Sequence, residues 1–205
     1  MTVDGISRTF DNVFARVHGC RRDVLDALLE LAVEIAREGR EGRRIGTLFT
    51  LGNAEAVLAH SRGLILDPLQ GHGPHATSIF DANLRGTVKE LAQLDGAFIV
   101  TDDGTVCAAA RYLDATAEGI QLPLGLGSRH LAAASMSGRF DLVAVVVSES
   151  AVVRVFHRGE LIAEIIPELW LLRRHLPSLP SLATEEHTAG VAIFTAEPSN
   201  ADDNH

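Results

Sequence analysis

The sequence predicts an α/β protein: a single domain with a mixed central β-sheet flanked by helices. Three observations carry that prediction. Segments with apolar residues at helical spacing alternate with short apolar runs. The run at 142–147 is nearly unbroken in β-branched residues, the pattern of a strand covered on both faces. Two pairs of apolar runs are joined by tight turns, at Asp102-Asp103-Gly104 and at Arg158-Gly159, so their strands must be antiparallel and the sheet cannot be all parallel.

Taken in chain order, Val24, Leu25, Leu28, Leu31, Val33 and Ile35 predict a helix over 23–38, stopped by Gly39. A strand follows at 45–51. A second is expected at 56–60, after the Gly52-Asn53 turn. A loop rich in Gly, Pro and His at 67–75 leads to a second amphipathic helix over 77–94, with Ile79, Leu84, Val88 and Leu91 on one face. Strands at 97–101 and 105–111 form the first hairpin. The glycine-rich segment 125–130 opens an alanine-rich helix at about 131–137, and the strand at 142–147 follows it. Strands at 152–157 and 161–166 form the second hairpin, and a short helix is expected at 167–175. The organisation read from this is an N-terminal helical segment over 1–44, a domain over 45–175 and a mobile tail over 176–205, in which 191–195 adds an edge strand.

Charge and composition narrow the function. A net charge of -9 argues against a DNA-binding or anionic-membrane protein, because phosphate surfaces are held by basic ones. It leaves room for a nucleotide in one locally positive pocket. Cys20 and Cys107 lack the spacing of a zinc site or redox pair and read as free thiols of a reducing compartment. Asp4 near the start and the absence of a long apolar run argue against a signal peptide, and the longest apolar stretch is too short for a bilayer. The expected localisation is cytoplasmic.

Three short motifs carry residues suited to chemistry. Gly125-Leu126-Gly127-Ser128-Arg129-His130 enters a helix. Glycines let backbone approach an anion closely, Ser128 can cap the helix, and the helix's free amides favour phosphate. Arg129 can clasp phosphate oxygens, and His130 can bond phosphate or ligate a metal. An ordinary glycine turn before a helix explains the same residues. Asp95, in Leu94-Asp95-Gly96-Ala97, would sit at the sheet's end, where ligands of open α/β sheets bind; there a carboxylate holds metal or takes a proton, and a plain Asp-Gly turn is the alternative. Glu149, in Val147-Ser148-Glu149-Ser150, leaves the most buried strand as a metal ligand or as a solvated turn residue.

In this order and spacing, Asp95-Gly96-Ala97, Gly125-x-Gly127-Ser128-Arg129-His130 and Ser148-Glu149 resemble the diadenylate cyclase (DAC) domain family, over about residues 45–168. The resemblance implies two facing protomers, each holding one ATP. Each 3'-hydroxyl attacks the α-phosphate of the other nucleotide, giving cyclic di-AMP and two pyrophosphates. It also implies roles. Asp95 binds a divalent metal (Mn²⁺, Mg²⁺ or Co²⁺) and helps deprotonate the hydroxyl, and Glu149 is a further metal ligand. Gly96 and Ala97 let nucleotide lie against backbone, and Leu113 contacts adenine. Gly125, Gly127, Ser128, Arg129 and Ser148 hold the nucleotide, while His130 binds phosphate or metal. The implied state is a homodimer or higher homo-oligomer. Three departures from the family pattern stand out: Ser128 in place of threonine, Leu131 in place of arginine and Ser150 in place of a second acid. The last two motivate the alternative of a non-catalytic nucleotide-sensing module on the same fold.

Overall fold

The computed structural model of the chain describes residues 11–167, 186–188 and 191–193. A single turn of helix, α1 (Asp11–Phe14), precedes α2 (Arg22–Glu38). α2 buries Leu25, Leu28, Leu29 and Leu31 completely, so the apolar stripe seen in the sequence is its packed face. Each such side chain contributes about 1.5–3 kcal/mol over an exposed one. The partner of that face is the central sheet.

The sheet has seven strands: β1 (Thr47–Leu51), β2 (Ser61–Gly63), β3 (Ala97–Val100), β4 (Val106–Leu113), β5 (Val143–Val147), β6 (Val153–His157) and β7 (Glu160–Ile165). Their spatial order is β2-β4-β3-β1-β5-β6-β7. β1 and β3 are parallel, and every other neighbouring pair is antiparallel. The α/β fold with a mixed sheet is therefore as the sequence predicts. Period-two alternation sorts the side chains onto two faces. Phe49, Val145 and Val155 join the core beneath α2, while Leu48, Val146 and Phe156 join a second core with α5 (Ser128–Arg139). β5 is buried at every position, as its unbroken apolar run requires.

α4 (Ala82–Leu91) lies beside α2. A ladder of acids on α2 meets cations on α4: Arg85 contacts Glu34 at 2.9 Å, and Lys89 reaches Glu34 at 2.8 Å and Glu38 at 3.1 Å. Such partly exposed pairs each add less than about 1 kcal/mol, but together they set the helix register. α2, which the sequence assigns to an N-terminal segment, thus shares its core with the sheet.

Four local expectations are corrected. Residues 54–59 form a helix, α3 (Ala54–Ala59), not a strand; alanine, glutamate and leucine favour helix there, and Asn53 enters it in the left-handed conformation. The edge strand is the three-residue β2 that follows. The helix expected over 77–94 begins only at Ala82, because the Asp81 carboxylate accepts from the Asn83 and Leu84 amides and caps it there. Residues 77–79 instead pair with the β3–β4 turn, through Val106 N–H to Thr77 O and Ile79 N–H to Gly104 O at 2.8 Å each. α5 starts three residues earlier than expected. Finally, β9 (Val191–Ile193) pairs with β8 (Glu186–Thr188) in a separate two-stranded sheet rather than on an edge of the main one. The helix expected at 167–175 lies outside the described residues beyond Pro167. No helix among the described residues is long and apolar enough to cross a membrane.

At its far end α5 meets the β6–β7 turn closely. A Cβ on Gly138 would stand 3.3 Å from Gly159 Cα, and the Gly159 amide donates to Ser137 Oγ at 3.2 Å.

Candidate functional site

Three segments distant in sequence reach one end of the sheet. β1 runs parallel to β3, with Leu48 opposite Ala97, and antiparallel to β5, with Thr47 opposite Val147. The starts of β1 and β3 and the end of β5 therefore lie side by side. Gly46 precedes β1, Asp95 and Gly96 precede β3, and Ser148 and Glu149 follow β5. The start of α5 arrives at the same place: Gly125, Gly127, Ser128, Arg129, His130, Val146, Val147, Ser148 and Glu149 line one cleft of about 220 Å³. In open parallel sheets ligands gather at the carboxyl ends of strands. Here Asp95 stands at the amino ends of the parallel pair, and only β5, inserted antiparallel, contributes its carboxyl end.

Arg129 ties the three motifs together. Its guanidinium lies 3.2 Å from Glu149 Oε1 and 3.6 Å from Asp95 Oδ1. Asp95 is 89% exposed and Glu149 66%, so neither carboxylate is locked in place. Ion pairs this open are worth little, and an arginine held by them can exchange to a phosphate at small cost.

Gly46 is a site residue that sequence reading passed over. A Cβ there would lie 2.6 Å from Arg129 Nη1 and 3.3 Å from Glu149 Cγ. The absence of a side chain is what lets Arg129 cross the start of β1 to reach both acids. Gly46→Ala is expected to push the guanidinium off Glu149 while leaving the fold intact, since the atom met first is the end of a flexible side chain. The expected readout is at least about a tenfold rise in the Kd for nucleotide, as for loss of one charge-assisted contact of about 1.5–3 kcal/mol, at an unchanged unfolding temperature. Wild-type affinity in that variant would remove Gly46 from the site.

His130 is 8% exposed. Its Nε2 lies 3.2 Å from Arg154 Nη1, its ring meets Phe156 edge-on with centroids 6.2 Å apart, and its Nδ1 is buried with no partner among the described residues. Burial first, then the Arg154 and Arg129 guanidiniums, lower its proton affinity below the ordinary histidine value and favour the neutral ring.

The helix N-cap is Gly127, not Ser128, and no side chain caps it; Ser128 is the first helical residue. A Cβ on Gly125 or Gly127 would meet nothing within 4 Å, so the space beside that backbone is open to a ligand. The Ser148 hydroxyl is already engaged, with Ser150 Oγ at 2.9 Å and the Ser150 amide at 3.2 Å. Ala97 and Leu113 do not line the cleft: they are 1% and 5% exposed and belong to the core beneath α5. The space a Gly96 side chain would need is filled by the backbone of Ala110 and Arg111.

No cluster of three or more His, Cys, Asp or Glu poised to hold a metal occurs among the described residues. The donors present are the two carboxylates. Hard divalent cations that keep waters and take further oxygens from a substrate's phosphates are commonly held by one or two carboxylates, so the pair fits such an ion.

The chain is 44% identical over 165 residues to a protein of Methanocaldococcus jannaschii named diadenylate cyclase, an alignment covering 80% of this chain and 52% of that one. It is 36% identical over 148 residues to a Haloferax volcanii protein of the same name, covering 72% and 54%. It thus spans about half the length of these curated relatives. Among solved structures, a double mutant of DacA from Staphylococcus aureus superposes with a TM-score of 0.47 at 21% identity, over 75% of this chain and 95% of that one. A family model described as DisA bacterial checkpoint controller nucleotide-binding matches residues 34–161, well over half of the sequence, and the chain belongs to that family, the DAC family.

Proposed function

We propose that this chain condenses two ATP molecules into cyclic di-AMP with release of two pyrophosphates, in a metal-dependent reaction between two facing protomers. One observation carries the reading: Arg129 contacts both Asp95 and Glu149 at the mouth of a glycine-lined cleft. Two acids, a mobile guanidinium and an open helix start are the parts that phosphoryl transfer needs.

In this reading Gly125, Gly127, Ser128 and Ser148 seat the triphosphate, and Arg129 leaves the carboxylates to hold phosphate oxygens. Asp95 then accepts the proton of a ribose 3'-hydroxyl. The hydroxyl oxygen bonds to the α-phosphorus of the other nucleotide, the bond from that phosphorus to the bridging oxygen breaks, and pyrophosphate departs. The same step in reverse register closes the ring. A divalent ion held by Asp95 and Glu149 would supply charge neutralisation on the phosphates when bound. Gly96, Ala97 and Leu113 serve by seating β3 and β4 so that Asp95 projects from the sheet's end.

Two features favour a site completed by a second protomer. The cleft of about 220 Å³ is smaller than the roughly 300–1,000 Å³ of pockets that enclose a ligand alone. Asp95, at 89% exposure, also needs a covering surface to work away from bulk water. The test is to incubate the protein with ATP and Mn²⁺, Mg²⁺ or Co²⁺ across a protein dilution series and resolve the products chromatographically. The expected result is cyclic di-AMP whose rate per protomer falls on dilution. Saturable nucleotide binding without pyrophosphate release, under every metal, would leave the sensing alternative in its place.

A further inference from the structure

Arg154 contacts His130, which lines the cleft, and none of the roles above uses it. It lies on β6 directly opposite Glu164 on β7 in the strand register, and its Nε donates to Glu164 Oε1 at 2.5 Å. Its side chain is only 14% exposed. The other arm of the same fork reaches inward, where Nη1 lies 3.2 Å from His130 Nε2. A guanidinium has donors and no acceptor, so the Nε2 of His130 must present its lone pair there. A neutral imidazole then carries its proton on Nδ1. Both ring nitrogens are thereby committed: one lone pair is taken by Arg154, and the other position is protonated.

We propose that Arg154, braced by Glu164, is a positioning residue that locks His130 as the Nδ1–H tautomer, so that His130 serves the cleft as a hydrogen-bond donor to an anionic oxygen and not as a metal ligand. The Nδ1–H is the polar atom of the ring with no partner among the described residues, and an oxygen of a phosphate-bearing ligand is the acceptor it suits. Phe156, against the ring's edge, limits rotation that would exchange the two nitrogens. The choice of ligand rests on the nucleotide reading of the cleft; the tautomer does not.

The experiment is long-range proton–nitrogen correlation on protein labelled with nitrogen-15 histidine at neutral pH, with the His130 signals assigned by their loss in His130→Gln. The wild-type ring is expected as Nδ1–H. Arg154→Lys, which keeps a donor, should retain that tautomer, and Arg154→Met should lose it. Arg154→Met should also raise the Kd for a non-hydrolysable ATP analogue by about 10–100-fold, the loss of one hydrogen bond to a charged group. Mg²⁺, which is diamagnetic, added without nucleotide should leave the Nδ1–H tautomer in place. An Nε2–H ring or an imidazolium in the wild type, an Nδ1–H ring in Arg154→Met, or loss of the Nδ1 proton on adding Mg²⁺ would each overturn the proposal. Should Arg154→Met fail to fold, the wild-type tautomer and the Mg²⁺ titration still decide. An Nδ1–H wild type that makes no cyclic di-AMP would count against the proposed reaction and leave this assignment standing.

Discussion

Replacing Asp95 by asparagine is expected to lower cyclic di-AMP formation by about 100- to 10,000-fold, the range for removal of a positioned general base, while the Kd for nucleotide changes only a few-fold. The structural reason lies in what Asp95 does not hold. It is 89% exposed, and its only ion pair among the described residues is the 3.6 Å contact with Arg129. Asparagine preserves the shape of the side chain and removes the charge and the proton-accepting oxygen. Arg129 keeps Glu149 as a partner at 3.2 Å, so the phosphate-holding end of the cleft persists. Pyrophosphate release and calorimetric binding, measured on the same preparation, separate the two effects. An Asp95→Asn variant with wild-type turnover would remove Asp95 from the chemistry.

Gly96→Ala is expected to be the most damaging single substitution for stability among the site glycines. Gly96 has φ +106, and an ideal Cβ would lie 2.6 Å from Ala110 C, 2.7 Å from Arg111 N and 2.8 Å from Ala110 Cα. All three are backbone atoms, so no side chain can swing aside. The Ala110 backbone is itself held in a left-handed conformation, φ +50, at an irregularity in the β3–β4 register. It is pinned there from outside, by the Leu64 amide donating to Ala110 O and by the Asp67 carboxylate accepting from the Ala109 amide. The bulge therefore cannot yield without breaking those bonds. Conformational strain alone costs about 1–3 kcal/mol, and the backbone collision adds to it. For a chain of this size each kcal/mol lowers the unfolding temperature by roughly 2–4 °C. A fall of at least about 5 °C is therefore expected for Gly96→Ala on this scale. Gly86→Ala, in α4 with nothing within 4 Å of the added atom, should not lower it. Equal unfolding temperatures for Gly96→Ala and wild type would show that the bulge is soft.

These two sites also mark how far the sequence could be read. Alternating and unbroken apolar runs placed β1 and β3 to β7 within a residue or two, because burial on one or both faces is a local pattern. The strand expected at 56–60 falls largely within α3, where Val57 is the one buried residue, so no apolar period distinguishes helix from strand. Asp81 shows a second limit. Its side chain stops α4 from extending backward, although Ile79 continues the apolar stripe. At the site, Asp95, Ser128, Arg129, His130 and Glu149 were legible as residue types in motif order. Their convergence was not, because it depends on the parallel pairing of β1 with β3 and the antiparallel insertion of β5 between β1 and β6. Gly46 and Arg154 left no local mark at all. One matters through a side chain 83 positions away, the other through a ring on a different element.

The contact between Gly138 and Gly159 gives the helix bearing Arg129 and His130 a fixed far end. At 1.5 Å per residue, about 13 Å of rigid helix separates Gly138 from Arg129. With that end seated against the β6–β7 turn, the helix has no slack through which to slide away from the sheet. A side chain at Gly138 or Gly159 would have to part the two backbones, and the helix start that carries Arg129 belongs to the same rigid rod. The two glycines therefore act as a spacer for a guanidinium that neither of them touches.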